Sequence, residues 1–417
     1  MSKIRVENLY KVFGPKPKKA ISMVESGKSK EEILDEISCT VAVNNASLEI
    51  ELGEIFVVMG LSGSGKSTLL RCLNRLIEPT DGEIFLDDGE IEVLAAGEEE
   101  LRKIRRSKMA MVFQHFGLLP HRTVSDNVSF GLEIQGVDAK ARKEKAYETI
   151  KTVGLSGYEE KMTGELSGGM QQRVGLARAL ATDPEILLMD EAFSALDPLI
   201  RTNMQDELLE LQSKVQKTIV FITHDLDEAL KLGDRIAIMN QNGQIEQVGT
   251  TEEILSNPAS DYVEAFVENV DRSKVITATS IMFDHPERVV EPKEGPGVAV
   301  RRMRKWGISH LAVTDSDNTF EGFVAIDDAV KLQKEKKNTL ESVIQHSDRG
   351  IAPDTPVADL LPMVWDNNIP VVVVDENGAM KGIVYRPSVI AEITGETLES
   401  EEKLDEPEEP EMEVSND

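Results

Sequence analysis

The stretch Gly60-Leu61-Ser62-Gly63-Ser64-Gly65-Lys66-Ser67-Thr68 constrains this chain more than any other. Ahead of it, Ile55-Phe56-Val57-Val58-Met59 is continuously apolar, as a strand buried on both faces must be. Behind it, Leu69, Leu73 and Leu76 recur at helical spacing. Strand, glycine loop and helix together predict a cradle for a phosphate chain. The glycines let successive backbone N–H groups turn inward, and the helix N-terminus adds its positive end. Lys66 is expected to reach the β- and γ-phosphates, and Ser67 to offer its hydroxyl to Mg2+.

Chemistry to match this cradle recurs further along the chain. Met109-Ala110-Met111-Val112-Phe113 reads as a buried strand ending at Gln114, whose side-chain amide can ligate the ion and touch an attacking water. Leu166-Ser167-Gly168-Gly169-Met170-Gln171-Gln172-Arg173 opens a helix with a serine and two glycines, a second anion-binding start. Both starts can serve one nucleotide only if two subunits meet. Ile186-Leu187-Leu188-Met189-Asp190-Glu191 places two carboxylates at a strand's end. Asp190 suits Mg2+ held through water, and Glu191 suits the polarising of a nucleophilic water. Ser194-Ala195-Leu196-Asp197-Pro198 reads as a tight turn. Ile219 to Thr223 reads as another buried strand that ends at His224, an imidazole able to sense a γ-phosphate.

Around this centre the pattern is coarser. Residues 3–9 alternate charged and apolar, as an edge strand does. Phe13 follows and suits either stacking on an adenine ring or core packing. Residues 15–40 read as an inserted helical pair, with a capping box at Ser29 and Glu32. The loop from His115 to Val128 is rich in apolar residues and reads as a docking surface. Asn242-Gly243 turns a hairpin between 234–239 and 244–249. Beyond residue 265 an internal repeat appears, with Gly307–Asp315 matching the segment up to Asp375 at an offset of about sixty. Each copy continues through a turn, a second strand and a helix, so the two should bury their apolar faces against each other. Arg301, Arg302, Arg304 and Lys305 read as a solvated helix face.

Charge narrows the partners. Residues 396–417 hold eleven acids and one Lys, hence −10 of the formal −29, leaving −19 on the rest. That balance argues against a nucleic acid held by phosphate contacts, so none is expected as a partner. The acidic tail is expected to be disordered. Cys39 and Cys72 lie in unrelated contexts and suit a reducing compartment. No apolar run approaches the length of a membrane span.

The ordered set Gly60–Thr68, Gln114, Leu166–Arg173, Ile186–Glu191, Ser194–Asp197 and His224 resembles the ATPase subunits of ABC transporters over roughly residues 1–265. Met170 departs from the family's commonest signature residue, and the 15–40 insert displaces the aromatic that would stack on adenine. Phe116 to Thr123, Asp190 to Arg201 and Met204 to Leu208 narrow the resemblance to the glycine betaine/proline betaine importers. The C-terminal repeat resembles a tandem CBS pair. The implied fold class is α/β: a P-loop NTPase (ABC ATPase) domain, with a helical subdomain at about 115–180, followed by an α+β tandem CBS module. The implied domains are 1–265, 276–335 and 338–396, with a tail at 397–417.

The resemblance implies ATP and Mg2+ at the phosphate loop, and a head-to-tail dimer of the chain. In that dimer Ser167, Gly168 and Gly169 of one copy would close on the nucleotide held by the other, and Asp197 is a further candidate for cofactor binding. It further implies a transmembrane permease, carrying or joined to a betaine-binding protein, with this chain peripheral on the cytoplasmic face of the membrane. In such importers CBS pairs are associated with sensing ionic strength or cyclic di-AMP. A non-transport ABC ATPase working on a soluble partner is the competing reading.

Overall fold

The computed structural model describes residues 2–394 apart from His115, Phe116, Ala195, Asn269, Asp271 and residues 285–288, 348–349 and 366–368. The chain divides into two compact units, one up to Asn269 and one from Val270 onward.

The first unit opens with β1 (Ser2–Phe13), a helical pair α1 (Pro17–Glu25) and α2 (Lys30–Ile37), and the return strand β2 (Thr40–Glu51). The capping box closes as the sequence predicts: the Ser29 hydroxyl accepts from Glu32 N, and the Glu32 carboxylate accepts from Ser29 N. The pair keeps its own small core of Val12, Ala20, Ile21, Met23, Ile33, Ile37, Cys39 and Val41. Next come β3 (Ile55–Met59), α3 (Lys66–Leu73), β4 (Asp81–Leu86), β5 (Ile91–Glu92), α4 (Glu98–Lys103) and β6 (Met109–Val112). A helical layer follows, formed by α5 (Val124–Ile134), α6 (Ala139–Thr152) and α7 (Gly168–Ala181). The unit ends with β7 (Ile186–Asp190), α8 (Pro198–Val215), β8 (Thr218–Thr223), α9 (Leu226–Leu232), β9 (Arg235–Met239), β10 (Ile245–Gly249), α10 (Thr251–Ser256) and α11 (Asp261–Val267).

Among the described residues of the first unit the strands form two sheets, in the orders β2-β1-β4-β5 and β10-β9-β3-β8-β7-β6. In the second sheet β3 lies parallel between β8 and β9, and β7 between β6 and β8. All five side chains of β3 and of β7 are buried, which explains their unbroken apolar sequences. Parallel order puts the C-terminal ends of β3, β6, β7 and β8 on one edge. The phosphate loop, Gln114, Glu191 and His224 each follow one of those ends.

Three expectations change. β1 is not an edge strand: it pairs with β2 on one side and β4 on the other, so its alternation reflects one face buried and one exposed. α3 stops at Leu73, because Arg75 takes a positive φ of 52° and leaves Leu76 half exposed. The 115–128 loop ends at Thr123, whose hydroxyl caps α5; Leu118 and Leu119 are half-buried, and His115 and Phe116 lie outside the described residues. Cys39 and Cys72 are free and buried.

The second unit contains α12 (Ala278–Ile281), β11 (Val289–Val290), α13 (Pro296–Lys305), β12 (His310–Thr314), β13 (Phe320–Ala325), α14 (Ile326–Lys334) and β14 (Gln345–His346). A second set follows: β15 (Gly350–Ile351), α15 (Val357–Trp365), β16 (Val371–Val374), β17 (Met380–Val384) and α16 (Arg386–Thr394). β12/β13 and β16/β17 are matching antiparallel hairpins. Asp315 and Asp375 accept the same pair of turn N–H bonds, from Asp317 and Thr319 and from Asn377 and Ala379. The expected burial of one copy against the other is present, with Ala312 and Phe323 packing with Val372, Met380 and Ile383. The turns cross-bridge as well: Phe320 N donates to Gly378 O, and Met380 N to Asn318 O. Ile276 and Ala278 pack with Ile351, Val357 and Leu360, so residues that sequence order puts in the first copy join the core of the second. Arg302 of the basic cluster is engaged by Glu294, whereas Arg301, Arg304 and Lys305 are exposed.

Candidate active site

A cavity of about 510 Å3 is lined by Ser62, Gly63, Gly65, Lys66, Ser67, Thr68 and Glu191, together with Lys30, Thr40, Val41, Ala42 and Gln241. The loop is held open by its own groups. Lys66 Nζ donates to the carbonyls of Gly60 at 2.8 Å and Leu61 at 3.0 Å. Burial pulls its ammonium below the usual lysine value, partly offset by the negative charge of Glu191 and Asp190. Gly65 adopts φ +105°, and a Cβ there would lie 2.0 Å from Ala42 O, so only glycine fits. Ser64 is fully buried, and its hydroxyl has no partner.

The acid end is assembled from the ends of three strands, β6, β7 and β8. Glu191 sits just past β7 with φ +45°, an uncommon backbone state for a non-glycine residue, anchored by its N–H to Ile222 O of β8 at 3.1 Å. Its Oε2 accepts from Gln114 Nε2 at 3.2 Å and lies 3.5 Å from His224 Nδ1. Gln114 Nε2 also reaches Ser194 Oγ at 3.3 Å, and that hydroxyl donates to Glu191 O at 2.9 Å. The side chain of His224 is 55% exposed and that of Glu191 19%, so the imidazole stands on the open side of the carboxylate. Asp190 is buried; Arg71 Nη2 and Nε hold its Oδ2 at 2.9 and 3.2 Å, and its Oδ1 has no partner.

These donors suit Mg2+. Ser67 offers a hydroxyl, Gln114 donates through Nε2 and so leaves its carbonyl oxygen to ligate, and Asp190 Oδ1 is a buried acceptor without a donor. All three are hard oxygen ligands. Among the described residues no group of three His, Cys, Asp or Glu side chains could hold a metal.

The other expected residues stand apart from this cavity. Ser167 caps α7, its hydroxyl accepting from Met170 N. Ser167 and Gly168 are exposed and Gly169 is buried under Ile200, while none of the three lines the cavity of the same chain. Asp197 precedes α8 and is exposed. Phe13 is 44% exposed, which removes the core-packing alternative; Lys11 Nζ lies 4.7 Å from its ring centroid, and the ring does not line the cavity.

In the second unit a cleft of about 410 Å3 is lined by Asp284, Glu291 and Glu294 among others, with Arg302 and Lys381. Arg302 is held by Glu294 and Lys381 by Asp375 at 3.1 Å. Among the described residues, three carboxylates line this cleft beside two cations, each engaged by a carboxylate.

An ABC transporter family model matches residues 43–194, and a CBS domain model matches residues 278–335. The chain is 53% identical over 395 residues to the glycine betaine/carnitine transport ATP-binding protein GbuA of Listeria monocytogenes, spanning 95% of this chain and 98% of that protein. The chain belongs to the ATP-binding subunits of ABC transporters, in their glycine betaine group. It is also 52% identical over 393 residues to the glycine betaine transport ATP-binding protein OpuAA of Bacillus subtilis, spanning 94% and 93% of the two chains. Among solved structures, the dimeric post-hydrolysis state of the ATP-binding cassette MJ0796 with ADP and Pi is 32% identical. It has a TM-score of 0.50 and covers 60% of this chain and 98% of its own. No helix among the described residues is long and apolar enough to cross a membrane.

Sequence reasoning missed three parts of this ATPase site. Arg71, which orients Asp190, looked like an ordinary helix residue, and only its position one turn into α3 marks it. Ser194, which ties Gln114 to Glu191, was read as part of a turn. Lys30, Thr40, Val41, Ala42 and Gln241 come from the insert, the strand after it and the β9–β10 hairpin, which no local motif connects to the phosphate loop.

Proposed function

We propose that this chain hydrolyses ATP to power import of glycine betaine, or a related compatible solute, through a partner permease at the cytoplasmic face of a membrane. The observation that carries the catalytic half is the placement of Glu191. Its carboxylate lines the same cavity as the phosphate loop and is aimed by Gln114 and His224. Water attacks the γ-phosphorus, the bond to the β-γ bridging oxygen breaks, and Glu191 takes the proton from the attacking water. Lys66 leaves its carbonyl partners to meet the β- and γ-phosphates, and His224 faces the γ-phosphate. Ser67, Gln114 and, through water, Asp190 would hold Mg2+, which neutralises phosphate charge when bound.

In the signature, Ser167 and Gly168 are exposed, and all of Ser167-Gly168-Gly169 lies outside its own chain's cavity, which supports a head-to-tail pair with each copy closing the other's nucleotide. Asp197 would sit at that joint. The assignment of the cargo class rests on what the relatives are named for transporting. We further propose that residues 338–396 form a second CBS copy and that the pair regulates the ATPase. The acidic cleft favours a response to ionic strength over a cyclic dinucleotide bound there.

The test is uptake of labelled glycine betaine by vesicles holding the chain with its permease, across a salt series, with and without residues 276–417. ATP-dependent uptake lost in Glu191→Gln supports the transport reading. Hydrolysis without any co-purifying multi-span protein or uptake supports a soluble partner instead. An unchanged salt response in the truncated protein removes the regulatory role.

A further inference from the structure

The geometry assigns Lys30, delivered by the inserted helical pair, as a nucleotide-contact residue that binds the nucleoside end of ATP; this rests on the reading that the phosphate-loop cavity takes ATP. Lys66, Ser67 and Glu191 fix the cavity's phosphate end. The lining that remains for base and ribose is Lys30, Thr40, Val41, Ala42 and Gln241, with no aromatic ring among the described residues.

Lys30 is poised for this. Its ammonium donates to the carbonyl of Gln241, and among the described residues it forms no ion pair, so two N–H donors remain for a ligand. Burial holds its ammonium below the usual lysine value, with the charge of Glu31 opposing. Lys30 is the first residue of α2, where the helix dipole disfavours a cation. The Gln241 carbonyl and the charge of Glu31 offset that placement in part, and a ligand bearing oxygen or nitrogen acceptors would offset it further. Ribose oxygens and purine ring nitrogens accept from a donor-only group.

The insert is also locked to the phosphate loop. Ala42, just past the insert on β2, packs its carbonyl against Gly65, and against Gly243 in the β9–β10 turn, where an added Cβ would come within 2.6 Å. Asn44 N donates to Gly243 O at 2.9 Å. The insert's own core, with Ile33 and Ile37 buried, fixes α2 on that strand. Lys30 therefore sits at a set position relative to the loop that holds the phosphates.

The test measures displacement of a fluorescent ATP analogue from the full-length protein by ATP, ADP and inorganic tripolyphosphate, and ATPase activity with the permease. For Lys30→Met, ATP and ADP should bind about 10-fold more weakly, as expected for loss of a charged hydrogen bond. KM should rise by a similar factor while kcat holds within about twofold, because the contact is made equally in ground and transition states. Tripolyphosphate should bind as to the wild type, and Lys30→Arg should restore most of the loss. Lys28→Met, which removes an ion pair to Glu36 on the same insert, should change nothing. ATP affinity unchanged in Lys30→Met overturns the assignment, and so does an equal loss for tripolyphosphate. If wild-type protein binds no ATP, or Lys66→Ala binds it normally, the nucleotide reading itself falls.

Discussion

Replacing Glu191 by Gln separates binding from chemistry at this site. The carboxamide has the same shape and can keep the neighbours now at 3.2 Å (Gln114) and 3.5 Å (His224). The backbone anchor to Ile222 O is untouched. Lys66, Ser67 and the loop glycines, which are proposed to meet the phosphates, are also untouched, so ATP affinity should stay within about threefold of wild type. What is lost is the group proposed to accept a proton from the attacking water. General-base contributions of about 10²–10⁴-fold correspond to roughly 3–5 kcal/mol of barrier. The assay is phosphate release from the permease-bound protein at saturating ATP, paired with equilibrium ATP binding. His224→Ala should lose less than Glu191→Gln, because the exposed imidazole stands beside the carboxylate and does not take the proton. A Glu191→Gln protein that hydrolyses at the wild-type rate refutes the base assignment. A parallel collapse of ATP binding would show that the carboxylate serves binding instead.

Gly65→Ala should abolish ATP binding and lower the melting temperature, since its Cβ would lie 2.0 Å from Ala42 O at φ +105°; differential scanning fluorimetry with and without ATP reads both. Phe193→Ala should cost about 3–5 kcal/mol by denaturant unfolding, because Phe193 is fully buried against Phe221 with ring centroids 5.4 Å apart. Lys3→Met should cost about 2–3 kcal/mol: Lys3 bridges Asp87 and Glu185 across the two sheets, and Lys108 still contacts both carboxylates, softening the loss. Burial pushes the Asp87 and Glu185 carboxyls up, but bonds from Lys108 and Lys3 outweigh it and both end below the usual values. Their stabilisation is therefore full above the unfolded carboxylate range near 4 and lost as pH falls through the folded values. An unfolding midpoint followed from pH 7 to pH 3 should drop in the wild type and drop less in Lys3→Met.

The parts of the site that sequence makes legible are those in which one short segment carries both its fold and its chemistry. Ile55–Met59 with Gly60–Thr68 is strand, loop and helix in one run, and Met189-Asp190-Glu191 is strand end and acid together. Parallel strands then bring such ends to one edge without further instruction. Residues that act through distant contacts stayed hidden. Arg71 matters because β7 ends opposite α3, and Lys30 because β2 returns beside the phosphate loop; neither fact has a local signature. β1 looked like an edge strand because alternation reports burial of one face and says nothing about how many neighbours pair with the strand. The helix behind the loop was read three residues too long, since Arg75 in the left-handed region leaves no mark in the apolar spacing. The repeat of the second unit was visible from its matching turns at Asp315 and Asp375. The packing of Ile276 and Ala278 onto the other copy was not, since order along the chain does not fix which core a segment joins.

The central claim is that two copies of this chain face each other head to tail across ATP. The most direct measurement is a short bis-maleimide crosslink in a Glu191→Gln background carrying Ser62→Cys and Ser167→Cys. The native cysteines are both buried, and burial pushes the Cys72 thiol up to about 12, so the new thiols should react alone. Head-to-tail pairing predicts a product of twice the chain's mass that forms with ATP and fails to form when Lys66→Ala is added. A crosslink that joins 62 to 167 within one chain, or a two-chain product that ignores ATP, would contradict it.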